Sequence, residues 1–152
     1  MTAFSFTRVS DELTINAWLQ VHNEIIPSDP LTFEQVASRS KDYALDVASL
    51  AEVVVGCSTV RAAADNDPVT VIVRILPAYR GRGLGSDFLV HALAHAQDLG
   101  AVDIQTIVLA SNSEGLEFAR RRGFVETERY TLDGDTVPFI HLATSLDDAL
   151  RG

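Results

Sequence analysis

Among its 152 residues the chain has one cysteine, one lysine, one tryptophan and one methionine, and it has no apolar run long enough to cross a bilayer. Each scarcity excludes something. Cys57 alone cannot form an internal disulfide, and in "VVVGCSTV" it reads as a buried thiol on a strand. Basic residues number 12 against 21 acidic ones, for a formal charge of −9 and a pI near 4.7. That field repels nucleic acid, which is therefore excluded as the main partner, and the missing apolar run argues against a membrane role. The opening "MTAFSFTRVSDEL" lacks the basic-then-apolar order of a secretory signal, which predicts a cytoplasmic protein.

What is present is a globular composition, 47% apolar and 22% charged, at a length that predicts one domain over residues 1–152. Charge is unevenly spread. Residues 1–68 carry 4 basic and 10 acidic side chains, whereas Arg74 to Arg129 holds 7 arginines. An anionic ligand is favoured in the second half and a cationic one, weakly, in the first.

The periodicities predict the order β-α-α-β-β-β-α-β-α-β-β. "FSFTRV" alternates as a strand does, and "SDELTINAWLQVHNEI" reads as a helix capped by Ser10 with Leu13, Ala17, Val21 and Trp18 on its inner face. "PSDP" breaks it, and "LTFEQVASRSKD" follows with Thr32 and Gln35 as a capping box. Three strands come next, in "YALDVASL", "EVVVGCSTVRAA" and "VTVIVRIL", with a turn at Asp65 to Pro68. Leu84, Phe88, Ala92 and Ala96 then recur at helical spacing, widened by Leu89 and Leu99 and ended by Gly100. "VDIQTIVLA" is a strand, "NSEGLEFARRR" a helix ended by Gly123, and "FVETERYTL" with "TVPFIHLA" a hairpin around "DGD". This order implies an α/β (α+β) domain, largely antiparallel with at least one parallel crossover.

Chemistry concentrates in "LPAYRGRGLGSDFL", where three glycines and two arginines occupy Arg80 to Gly85. A strand ending at Leu76 and a helix starting near Gly83 leave several backbone N–H groups without helical partners. Glycine lets such a backbone turn sharply and approach a ligand, the helix terminus adds partial positive charge, and Arg80 and Arg82 add full charges. This is a cradle for a phosphate or pyrophosphate. It is not a Walker A loop, because the lone lysine is Lys41. Nor is it a dinucleotide fingerprint: the glycines fall as G-x-G-x-G in mid-chain, and Asp103 starts the next strand instead of ending it.

Arg80-Gly81-Arg82-Gly83-Leu84-Gly85 fits R/Q-x-x-G-x-G/A, and "VIVRILPAYRGRGLGSDFL" resembles motif A of the GNAT family of N-acetyltransferases from strand through loop into helix. "LASNSEGLEFARRRGF" resembles motif B of that family. The resemblance implies a central mixed, mostly antiparallel sheet of about seven strands flanked by helices, with splayed parallel fourth and fifth strands. It also implies acetyl-coenzyme A as acyl donor, the backbone of Val73 and Ile75 binding pantetheine, and the amides of Gly81, Arg82, Gly83, Leu84, Gly85 and Ser86 taking the pyrophosphate. Arg80 and Arg82 would sit near that charge or the 3′-phosphate, with Asn112 as a polar anchor and Phe118 flanking the coenzyme. The arginines at 120 to 122 would flank it too, or simply form a solvated helix face.

The implied activity is acetyl transfer to a primary amine of a small molecule or peptide by direct attack. Two departures stand out. Ala119 occupies the position where the family commonly carries the tyrosine that protonates the thiolate, and "PVTVIVRIL" lacks the glutamate base of some members. Ser111 or Ser113, Tyr130 and His141 are the substitutes on offer. A domain that binds acyl-coenzyme A without turnover, as a sensor, is the alternative. Asp46, Glu34, Asp29 and His22 lie in the acceptor half and would attract a cationic amine. His91 and His95 share a helix face with Asp87 and Asp98, read as a solvent-facing row and not as a metal site. The family also implies a possible homodimer through the C-terminal strands.

Overall fold

The computed structural model describes residues 3–64 and 67–151. Its elements are β1 (Phe4–Arg8), α1 (Glu12–Ile25), α2 (Phe33–Asp42), β2 (Ala44–Leu50), β3 (Val53–Arg61), β4 (Val69–Ile75), a 3-10 turn (Pro77–Tyr79), α3 (Leu84–Asp98), β5 (Asp103–Leu109), α4 (Ser113–Arg121), β6 (Val125–Tyr130), β7 (Phe139–Ser145) and α5 (Leu146–Arg151). The strands follow the order β1-β2-β3-β4-β5-β7-β6 in a seven-stranded mixed sheet. Two compact units divide the chain: Met1–Arg61 with Val73–Ala92, and Ala62–Ile72 with Leu93–Gly152. Both β4 and α3 run from one unit into the other. Asp65 and Asn66, half of the expected turn before β4, lie outside the described residues.

In the first unit β1, β2 and β3 form an antiparallel meander, with Phe6 opposite Ala48 and Val47 opposite Cys57. Strand alternation sends side chains to two cores. One gathers Leu45, Val47 and Cys57 with Ile15, Trp18 and Val21 of α1 and Val36 of α2. The other packs Ala48, Val55 and Ile75 against Leu84 and Phe88 of α3. Trp18 is buried and its indole N–H donates to the Ser58 carbonyl at 3.0 Å, so its polar edge is satisfied inside the core. Each large side chain buried here contributes roughly 1.5–3 kcal/mol.

Two sequence expectations for α1 shift. Its N-cap is Asp11 and not Ser10, because Asp11 accepts from the Thr14 amide while the Thr14 hydroxyl accepts from the Asp11 amide. Its buried residues are Ile15, Trp18, Val21 and His22, and Leu13 is 78% exposed. The predicted Thr32–Gln35 box does cap α2. On α3 the stripe of Leu84, Phe88, Leu89, Ala92 and Ala96 is buried as expected, while Leu99 lies beyond the helix end and is exposed.

In the second unit the first two residues of β4 pair in parallel with β5, Val69 to Ile104 and Thr70 to Gln105, and the Gln105 amide donates to the Thr70 hydroxyl. Antiparallel pairing continues through β7 to β6, the hairpin expected around Asp133 to Asp135. The short α5 was not anticipated; it follows β7 directly and buries Leu146 and Ala149. Among the described residues no helix is long and apolar enough to cross a membrane.

Candidate functional site

The glycine loop adopts the strand–turn–helix form expected of it. After β4, the Tyr79 amide donates to the Leu76 carbonyl and closes the 3-10 turn, with Pro77 setting its first residue. Gly81 and Gly83 both have φ of +80°, left-handed backbone that costs a residue with a Cβ about 1–2 kcal/mol. A Cβ built on either would meet no heavy atom within 4 Å, so the glycines serve backbone shape and leave open space beside it. The Asp87 amide donates to the Gly83 carbonyl as the first helical bond of α3. The amides of Leu84, Gly85 and Ser86 therefore have no partner within the helix and carry its positive end.

The two loop arginines differ. Arg80 Nε donates to the Ile75 carbonyl at 2.9 Å and so braces the loop against the end of β4, while the Arg82 guanidinium lies 5.6 Å from the centre of the Tyr79 ring. Val73 and Ile75 turn their side chains toward the α3 core. Arg74, between them, points the other way and is partly buried. Its electrostatic neighbours are Cys57 and Arg39, and it acts on His22 as well. Burial pushes the Arg74 guanidinium below its ordinary value, although an arginine remains charged.

Burial likewise pushes the Cys57 thiol up to about 12, which leaves it neutral and rules it out as a nucleophile at ordinary pH. His22 stacks on Trp18 at 5.3 Å and bonds Asn23. Desolvation lowers its pKa from 6.5 to about 4, against the opposing effect of that bond. The folded state thus binds fewer protons than the unfolded one, so stability is lost as pH falls through the window from about 6.5 to about 4. The expected loss is roughly 3 kcal/mol. Urea titrations at pH 7, 5.5 and 4 should show it, and a His22→Gln variant should show a flatter profile.

Asp46 does not present an open carboxylate to a cationic amine. It is buried, with one oxygen bound by Arg8 Nε and the other 2.8 Å from His91 Nε2. His91 also stacks on Phe6 at 4.2 Å, so it is a packed member of an Arg8–Asp46–His91 group and not part of a solvent-facing row. Among the described residues no group of three His, Cys, Asp or Glu side chains is arranged to hold a metal.

In the second unit Asn112 caps α4, its side-chain oxygen accepting from the Gly115 amide at 3.0 Å. A Cβ at Gly115 would fall 2.6 Å from Asn112 Nδ2, so a larger residue there would push on the capping side chain. Phe118 is partly buried under the Arg122 guanidinium at 5.6 Å, and Arg121 pairs with Glu117 on the exposed face.

The sequence model of the acetyltransferase (GNAT) family matches residues 12–124, from α1 through the loop to the end of motif B. The chain belongs to that family. No curated protein matches its sequence. Among solved structures it is similar to Ard1 from Thermoplasma volcanium, with a TM-score of 0.81 at 16% identity, covering 94% of this chain and 97% of that one. It is similar also to yncA from Salmonella typhimurium, solved with its cofactor acetyl-CoA, with a TM-score of 0.74 at 18% identity over 95% of each chain. A third is Arabidopsis thaliana Naa50 in complex with the bisubstrate analogue CoA-Ac-MVNAL, at 0.75 and 19% over 93% of this chain and 98% of that one.

For an acetyltransferase the proton donors matter. Ala119 is buried, 4% exposed beside Leu116 on α4, so the position offers no hydroxyl. Of the sequence candidates, Tyr130 and His141 come together, with the phenol 3.2 Å from His141 Nε2 across β6 and β7. Ser111 lies exposed just beyond β5. What sequence reasoning missed in this acetyltransferase is the placement of Arg74 and Arg39 and the Arg8–Asp46–His91 group. The available clue was one cation inside the otherwise uncharged run "VTVIVRIL".

Proposed function

We propose that this acetyltransferase uses acetyl-coenzyme A to acetylate a primary amine of a small molecule or peptide by direct attack. The observation that carries the reading is the loop: two left-handed glycines with open space beside them, followed by three helix-terminal amides without helical partners. The amides from Gly81 to Ser86 bind the pyrophosphate, with Arg82 near its charge and Arg80 holding the loop to β4. The backbone of Val73 and Ile75 pairs with the pantetheine amides, and Asn112 and Phe118 supply further contacts to the coenzyme.

The amine nitrogen attacks the thioester carbonyl, a C–N bond forms, and the C–S bond breaks. A backbone N–H on β4 polarises the carbonyl oxygen, while the ammonium proton leaves to water or a base. The departing thiolate takes a proton from a donor among Ser111, Tyr130 and His141, the hydrogen-bonded Tyr130–His141 pair being the best supported. The family match runs through both units, which supports one domain over residues 1–152. We place the enzyme in the cytoplasm. A homodimer through the C-terminal strands is supported by β6, which is exposed along its length.

A second reading, a coenzyme-binding sensor without turnover, is favoured by buried Ala119 where the family carries its acid. Thiol release from acetyl-coenzyme A, followed with a panel of primary amines, separates the two. The enzyme reading predicts release that depends on both amine and protein. Coenzyme binding with no release for any amine would leave the sensor.

A further inference from the structure

We infer that the acceptor of this acetyltransferase carries an acidic group close to its amine, and that Arg74 binds that acid; this rests on the transferase reading above. Arg74 is the side chain of β4 between the two residues whose backbone is assigned to pantetheine, so it stands beside the place where the thioester meets its acceptor. Strand alternation turns it away from α3, because Val73 and Ile75 pack on that side, and toward the face holding Cys57, His22 and α2.

An acid on that face, Asp29, acts on His22 and forms no ion pair with Arg74. Among the described residues no carboxylate forms an ion pair with Arg74. Cys57 is buried and held as the neutral thiol, and buried His22 is held as the neutral imidazole at pH 7. The remaining charged neighbour, Arg39 in the last turn of α2, is exposed and of the same sign. A partly buried guanidinium without a counter-charge is costly, and a bound carboxylate would remove that cost through two parallel charge-assisted hydrogen bonds. A chain with a net charge of −9 that nonetheless leaves a cation unpaired at this point is built for an anion there.

The acid must lie near the nitrogen. Arg74 belongs to the strand that positions the thioester, and its reach is one side chain, which fits a small amino acid better than the N-terminus of a protein, where the α-carboxyl is consumed in a peptide bond.

The test pairs α- and ω-amino acids with their carboxamides, which keep the amine and remove the charge. Calorimetric binding of each to the coenzyme A-loaded protein is measured beside thiol release from acetyl-coenzyme A. The expected result is at least about tenfold tighter binding and higher kcat/KM for acids over amides. Arg74→Gln should abolish that preference while leaving coenzyme affinity unchanged, and Arg74→Lys should restore part of it. Acids and amides handled alike by the native protein, or a preference that survives Arg74→Gln, would overturn the inference. Acid binding that depends on Arg74 without thiol release would uphold it and instead remove the transferase reading.

Discussion

Gly83→Glu is expected to abolish acetyl-coenzyme A binding in a protein that still folds. The substitution places bulk and negative charge at the mouth of the helix-terminal amides, where the account puts a pyrophosphate. Losing even two charge-assisted hydrogen bonds at about 1.5–3 kcal/mol each lowers affinity by at least about a hundredfold. The φ of +80° at this position means that any side chain also strains the backbone. Gly83→Ala separates the effects. With nothing within 4 Å of the new methyl group, it pays only the left-handed strain of about 1–2 kcal/mol and should keep a folded protein with weakened binding. If folded Gly83→Glu bound the coenzyme with native affinity, the loop would have been misassigned.

Gly56→Ala is expected to cost more stability than any other single methyl addition considered. Gly56 lies on β3 where a Cβ would fall 2.7 Å from the Arg74 carbonyl oxygen and 2.9 Å from Ile75 Cδ1. The first of these is backbone of β4, which cannot rotate aside, so the strand itself must move. Overpacking of this kind costs about 1–3 kcal/mol, and occasionally more. For a chain of this length the midpoint should fall by about 2–12 °C in thermal unfolding. Function should suffer too, because the displaced segment is the one whose amides and carbonyls are assigned to pantetheine and whose side chain, Arg74, is assigned to the acceptor. A weaker coenzyme affinity at a temperature where the variant is fully folded would show that coupling. Native stability in Gly56→Ala would mean that β3 and β4 lie farther apart at this point than the structure has them.

The features that could be read before the structure are those decided within a few residues. The Thr32–Gln35 box, the punctuation by Gly100 and Gly123, and the strand–glycine–helix form of residues 69 to 98 depend on local geometry that sequence spacing encodes. The α1 cap moved by one residue because Ser10 and Asp11 are both good caps and only the Thr14 hydroxyl decides between them. Of its expected inner face, Trp18 and Val21 are buried and Ala17 packs against the same core, while Leu13 turns outward because contact with β2 and β3 centres the buried stripe on Ile15, Trp18 and His22.

Long-range pairs were out of reach for a different reason. His91 meets an aspartate 45 positions away, which no periodicity announces. Arg74 looked like one more member of an arginine-rich half until the topology gave it Cys57, His22 and Arg39 as neighbours and, among the described residues, no carboxylate in an ion pair with it. The acidic composition of the first half suggested a cationic acceptor, but its best-buried acid, Asp46, is spent on Arg8 and His91. Composition counts charges, whereas recognition depends on which ones are left unpaired.

The central claim is that the turn after β4 holds a coenzyme A pyrophosphate. Calorimetric titration of the native protein with acetyl-coenzyme A, coenzyme A and NAD in parallel tests it most directly. The account predicts saturable one-site binding of both coenzyme A forms and none of NAD. Folded protein that binds neither coenzyme A form, or binds NAD as well as it binds them, would contradict it.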